Sequence, residues 1–311
     1  MSQLKYLKDK FPKHSGTKIW AVGGGKGGVG KSLVTANLSI CLALMGYKVI
    51  AIDMDLGGAN LHTCMGLPVP NKTLSDYIKK KVSNINDLLT PTPIDNLHII
   101  SGAQDEMGIA NLKFLQKAKL LSKLSDLEAD FILLDLGAGT TYNTLDFFLA
   151  ADQGILVSLP EPTSIENTYR FIKSFFYRRL KMAEELIDVG PQIDAILNSK
   201  INENLKPMDL IKKIEEINPS SARKLKEEIS KLNPKLIINQ TRTQADIDIG
   251  HSVKIICHKY FGFEIDFVGH LEYDATVWQS VKKRRPLLIE FPNSSLVNNF
   301  EIIINKLLNF S

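Results

Sequence analysis

Cysteine is scarce in this 311-residue chain, and its three copies, Cys41, Cys64 and Cys257, lie far apart with no C-x-x-C spacing. That scarcity argues against a disulfide scaffold and against a zinc site, and it fits a reducing cytoplasm. Long apolar runs are missing too: none approaches the roughly 18 residues of a spanning helix. The first residues carry no apolar core of a secretory leader. Any membrane association is therefore expected to be peripheral. Charge of one sign is not in excess either: 38 Lys and Arg against 34 Asp and Glu give +4, spread along the chain, which by itself does not point to nucleic acid. What is present is 44% hydrophobic residues, enough for one large core. The length fits one α/β domain over residues 1–311 better than two independent ones.

The most informative stretch is Gly25-Lys26-Gly27-Gly28-Val29-Gly30-Lys31-Ser32, which fits G-x-x-x-x-G-K-[ST]. It follows the apolar run Ile19-Trp20-Ala21-Val22 and precedes an apolar-periodic one from Leu33 to Met45, as a strand, loop and helix around a polyphosphate require. Glycines let backbone amides face phosphate without Cβ clashes, Lys31 can reach the β and γ phosphates, and the Ser32 hydroxyl can ligate Mg²⁺. A dinucleotide reading competes, because Gly23-x-Gly25-x-x-Gly28 and Gly25-x-Gly27-x-x-Gly30 both satisfy G-x-G-x-x-G and Asp53 ends the next apolar run. That fold has no use for Lys31-Ser32, so the phosphate loop is preferred.

Apolar strand-like runs alternate with helical patterns: Val49–Ile52, Leu97–Ile100, Phe131–Leu134, Gly154–Leu159, Leu236–Ile238 and Phe267–Gly269. Between them fall a helix opened by Thr73-x-x-Asp76, others near Leu112–Leu124 and from Ser164 to about Tyr177, and one near Gln244–Tyr260. The pattern predicts a mostly parallel sheet with helices on both faces, and ligands at the carboxyl ends of its strands. From about 178 to 234 the alternation stops. Pro207 and Pro219 are each placed to start a helix, with apolar positions at helical spacing, so this segment reads as an inserted helical hairpin. It is either a solvated cover or a partner-binding elaboration. Residues 1–17 form an N-terminal extension, and 294–311 a C-terminal helix. That helix is expected to dock on the protein, since Lys306 is its one lysine and membrane-surface helices favour basic flanks.

Lys26-Gly27-Gly28-Val29-Gly30-Lys31-Ser32 resembles the deviant Walker motif of the MinD/ParA ATPases. Ile52-Asp53-Met54-Asp55 and Leu133-Leu134-Asp135-Leu136-Gly137-Ala138-Gly139 fall where that family carries its two switch regions. Within it, Asp135–Gly139, Leu145–Asp152 and Pro160-Glu161-Pro162-Thr163-Ser164 are most similar to FlhG/FleN-type, MinD-like regulators of flagellar number and placement. The chain lacks the D-Q-A-x-x-L-R segment with which many FlhG relatives engage a GTPase, and its first seventeen residues are too short for a helix-turn-helix.

The resemblance implies a P-loop NTPase fold that binds ATP and ADP with Mg²⁺ and hydrolyses ATP. It implies that Gly25, Lys26, Gly27, Gly28, Val29, Gly30, Lys31, Ser32 and Leu33 hold the nucleotide. Ser32, Asp53 and Asp135 serve the metal, with Asp135 as the Walker B acid and Asp53 supporting the metal's water ligands. Asp55 orients and polarises the attacking water, and Lys31 neutralises phosphate charge. Lys26 is expected to reach across a two-fold interface to the partner's nucleotide, in an ATP-dependent homodimer. Asn239, after Leu236-Ile237-Ile238, matches the family's adenine-reading asparagine; Asn198 also ends an apolar run and is a rival. In Gly269-His270-Leu271-Glu272-Tyr273-Asp274, Glu272 stands where the family has proline. Lys282-Lys283-Arg284-Arg285 is a basic run of the kind with which ParA-like relatives bind DNA, or a solvated helix cap. The resemblance also implies a protein partner that stimulates hydrolysis, and leaves room for peripheral membrane contact. Three functions are weighed: a spatial or number regulator, first; a DNA-segregation ATPase, second; an Mrp-like iron–sulfur carrier, disfavoured by the missing C-x-x-C.

Overall fold

In the computed structural model, residues 16–55, 58–102, 112, 114–187 and 206–309 are described. Eight strands form one sheet: β1 (Lys18–Gly23), β2 (Val49–Asp53), β3 (Thr90–Pro91), β4 (Leu97–Ile100), β5 (Phe131–Asp135), β6 (Gln153–Ser158), β7 (Lys235–Thr241) and β8 (Asp266–Glu272). Their order is β3-β4-β2-β5-β1-β6-β7-β8. Every pairing is parallel except that of β3, an antiparallel edge strand too short to read from sequence. The near-continuous apolar content of the inner strands follows from burial on both faces.

Alternation on β1 shows the two layers. Ile19 and Ala21 join one core, covered by α4 (Phe114–Ser125), α5 (Tyr142–Ala150), α6 (Pro162–Ile187) and α9 (Gln244–Phe261). Trp20 and Val22 join the other, covered by α1 (Lys31–Leu44), α2 (Leu61–Cys64) and α12 (Ser295–Leu307). As expected, α12 docks on the protein, burying Leu296, Phe300, Ile303, Ile304 and Leu307. The Thr73–Asp76 capping box opens α3 (Leu74–Ile78).

The hairpin is present as α7 (Pro207–Ile217) and α8 (Pro219–Ser230), each with proline in its first turn. It packs on α6 and α9, with Leu210, Ile211, Ile214, Leu225 and Ile229 buried. One boundary differs from expectation: the helix predicted to end near Tyr177 runs on to Ile187. The reason is ionic. Arg178 donates to both carboxylate oxygens of Asp146 at 2.6 and 3.1 Å, and Arg179 to Glu228 of α8 at 2.6 Å. Arg178 and Arg179, which look like solvated charges in the sequence, are each paired with a carboxylate inside the protein. The extension 1–15 and Asn198 lie outside the described residues.

Asp146 is shared by Arg178 and the buried Lys117 of α4, so three helices meet at one carboxylate. Asp146→Ala should destabilise the protein by about 3–5 kcal/mol, because two desolvated cations lose their counter-ion. A urea titration checks this; an unshifted midpoint would show that the cluster is effectively solvated.

Candidate active site

The loop between β1 and α1 is shaped by what presses on it. A Cβ on Gly25 would sit 2.1 Å from the Asn167 carbonyl oxygen, so α6 packs directly against the loop. Gly30 has φ +96°, and a Cβ there would lie 2.3 Å from Nδ2 of Asn239. Gly30 is also the N-cap of α1 and makes no side-chain cap, and the first turn carries no acid. The first amides of α1 are therefore available to an anion, with the helix dipole favouring it. From the other side the Gly139 amide donates to the Gly24 carbonyl at 3.2 Å, tying the loop after β5 to the phosphate loop.

Parallel pairing sets Asp53 directly opposite Asp135 at the carboxyl ends of β2 and β5. Asp53 accepts from the Asp55 amide and the Leu61 amide, both at 3.0 Å. Asp135 accepts from the Thr35 hydroxyl at 3.3 Å and from the Ser32 hydroxyl. Burial raises both carboxyls above the usual carboxylate range, and each is raised further by a neighbouring carboxylate. Lys31 is pulled below its ordinary value by burial, against the opposing pull of Asp135, Asp55 and Asp53. The half-buried Asp55 carboxylate lies 3.6–3.8 Å from the position of a Cβ on Gly137. Three carboxylates thus converge near one lysine and one serine hydroxyl. That donor set fits a dication: hard oxygen ligands whose raised carboxyls would be neutralised by the ion. Among the described residues no three His, Cys, Asp or Glu groups form a complete metal site. A magnesium ion here would also draw on water and phosphate oxygens, as this hydrated cation usually does.

The raised pair has a pH signature. A group whose folded pKa is raised contributes stability present below its unfolded value and lost as pH climbs through the folded one. The metal-free protein should therefore melt at lower temperature at about pH 8.5 than at about pH 6, and Asp135→Asn should flatten the difference. A wild-type midpoint independent of pH would contradict the burial.

The structure brings together Gly25 to Ser32, Asp53, Asp55, Asp135 and Asn239. Lys31 is buried, whereas Lys26, Gly27 and Gly28 are exposed and Leu33 is half-buried. Asn239 is buried and donates from Nδ2 to the Val29 carbonyl at 2.9 Å, while its Oδ1 accepts from the Gln240 amide at 2.9 Å. Gln240 adopts φ 61°, a left-handed conformation uncommon outside glycine. Sequence reasoning missed Thr35 and the Asn167 backbone. Thr35 stands four residues after Lys31 on one helix face, a spacing that could have exposed it.

The ParA family model, described as an NUBPL iron-transfer P-loop NTPase, matches residues 16–184, more than half of the chain. The chain belongs to the ParA family. It is 37% identical over 158 residues to the antiactivator FleN of Pseudomonas aeruginosa, covering 50% of this chain and 55% of FleN. To the flagellum site-determining protein YlxH of Helicobacter pylori it is 33% identical over 178 residues, covering 56% and 58%. The matched stretch thus spans just over half the length of these relatives. Among solved structures, the septum site-determining protein MinD of Pyrococcus horikoshii, complexed with Mg-ADP, superposes with a TM-score of 0.61 at 22% identity, covering 94% of this chain and 96% of MinD. The eight-stranded, mostly parallel sheet is thus the ParA-family P-loop fold.

Proposed function

We propose that the chain is an Mg²⁺-dependent ATPase that alternates between an ATP-bound sandwich dimer and an ADP monomer, and that it acts as a spatial or number regulator of the MinD/FlhG kind. The observation that carries this reading is the opposite setting of two lysines in one loop. Lys31 is buried beside Asp135, Asp55 and Asp53, where a bound polyphosphate needs a cation. Lys26 stays exposed on the outer side of the same loop, available to a second copy.

Phosphoryl transfer to water is mainly a matter of positioning and charge neutralisation. The loop amides and Lys31 hold the β and γ phosphates. Ser32, with Asp53 and Asp135 behind it, would hold a magnesium ion, which would supply neutralising charge to the phosphates. Asp55 accepts a hydrogen bond from the attacking water and orients it. Lys26 of the second copy adds the last positive charge at the γ-phosphate, so hydrolysis waits for association. Asn239 braces the loop at Val29 and would contact the adenine base. We read residues 1–311 as one ATPase domain acting in the cytoplasm, with α7 and α8 inserted into it and a protein partner stimulating turnover; no described helix is long and apolar enough to cross a membrane.

The iron transfer in the family model's description finds no cysteine pair here. Cys41, Cys64 and Cys257 are free, and burial pushes their thiols up to about 12, away from the thiolate that a metal requires. Light scattering tests the switch. A non-hydrolysable ATP analogue with Mg²⁺ should double the mass while ADP leaves it single, and specific turnover should rise with protein concentration; one mass in both nucleotides would end the proposal.

A further inference from the structure

Where the hairpin of α7 and α8 rejoins the sheet, the fold leaves a cavity of about 230 Å³, near the small end of ligand pockets. It is lined by the start of β6 and the residues just before β7, so it lies at the amino ends of the strands, away from the edge that carries the phosphate loop. One side is aromatic. Phe148 of α5 meets Phe175 of α6 edge-on at 5.3 Å, and a Cβ on Gly154 would sit 2.5 Å from the Phe148 ring, which fixes that ring against β6. Leu232, just after α8, adds to the apolar lining. The other side is cationic. Arg179 lines the cavity at 5% exposure: its Nη2 donates to Glu228, but its buried Nε has no hydrogen-bond partner. Lys231 also lines it and pairs with the same Glu228, which among the described residues does not itself line the cavity. The lining acid, Asp152, is exposed and accepts from the Ile19 amide at 2.9 Å. Neither α10 (Thr276–Lys283) nor α11 (Leu287–Glu290) lines it, so the Lys282–Arg285 run, two of whose charges pair with Glu290, takes no part.

We propose that this cavity binds a small carboxylate that carries an aromatic or branched aliphatic body. The carboxylate takes the Nε–H of Arg179 and lies beside the Lys231 ammonium, and the body packs against Phe148, Phe175 and Leu232. A buried donor with no acceptor is rare and costly, and a charge-assisted bond is the strongest way to satisfy it. Ordered water could serve Nε alone, but it gains nothing from the aromatic side. Inorganic phosphate fails for the same reason. Because Arg179 stands on α6 and its partner Glu228 on α8, a ligand here joins the inserted hairpin to the ATPase core.

Phenylacetate is the probe, and its neutral isostere phenylacetamide the control. In ligand-observed NMR with the full chain, phenylacetate should saturate with a dissociation constant on the order of 1 mM or tighter, within reach of about ten non-hydrogen atoms, and should stay bound in excess Mg-ADP. Phenylacetamide should bind about tenfold more weakly or worse. Arg179→Lys, which keeps a cation beside Glu228 and removes Nε, should weaken phenylacetate by about tenfold. Ala151→Leu places a larger side chain in the lining and should abolish binding while the melting temperature holds; it decides the matter alone if Arg179→Lys does not fold. No saturation by about 20 mM would leave the cavity to water and overturn the proposal. Equal affinity for the amide, displacement by Mg-ADP, or unchanged binding in a folded variant would overturn it too. No step needs ATP turnover, so the cavity and the ATPase reading stand or fall separately.

Discussion

Lys26→Ala should lower ATP turnover by about 10²–10³-fold, the usual effect of removing one pre-positioned donor from a developing phosphate charge. ADP affinity should stay within about twofold, because the Lys26 side chain is exposed on the lone protomer and the reading assigns it to the partner's nucleotide. The loss should come with failure to dimerise in ATP, since several phosphate charges at an interface without that cation are costly to desolvate. Isothermal titration with ADP, light scattering and a phosphate-release assay together check the pattern. A variant that binds ADP poorly would place Lys26 on its own nucleotide instead.

Asp55→Ala should lower turnover by about 10²–10⁴-fold, the range for losing a group that handles the attacking water's proton. It should do so with the opposite effect on assembly. Asp55 sits above Gly137 and next to Lys31, with the charged side chain half-buried. Removing it takes a negative charge away from the γ-phosphate without touching the loop that holds it. The ATP-bound dimer should therefore persist, detected as a doubled mass in ATP itself where the wild type relaxes to monomer. An Asp55→Ala protein that stays monomeric in ATP would contradict the role.

The two variants separate because the site's parts come from short, locally marked segments, and these were the legible ones. The phosphate loop, Asp53, Asp55 and Asp135 each follow an apolar run that became β1, β2 or β5, so placing them on one sheet edge needs only the parallel-strand rule. The capping box read at Thr73 opens its helix for the same local reason. What stayed hidden depends on distant partners. Arg178 and Arg179 look like solvent-facing charges until Asp146 and Glu228, 32 and 49 residues away, come beside them. Asn239 reads as a strand-end amide near the base; its bond to Val29, across 210 residues, could not be inferred from spacing. The Cβ clash at Gly25 depends on where α6 lands, which no local pattern encodes.

The central claim is that one protomer's loop completes the other's site, and mixing the two inactive variants tests it most directly. In a heterodimer of Lys26→Ala with Asp55→Ala, the first protomer keeps its own Asp55 and receives Lys26 from the second, so one of two sites is whole. An equimolar mixture, combined as monomers before ATP is added, should recover turnover well above either variant alone, and about a quarter of wild type if pairing were random. If Lys26 served its own nucleotide, neither site would be whole, and the mixture would remain as inactive as its components.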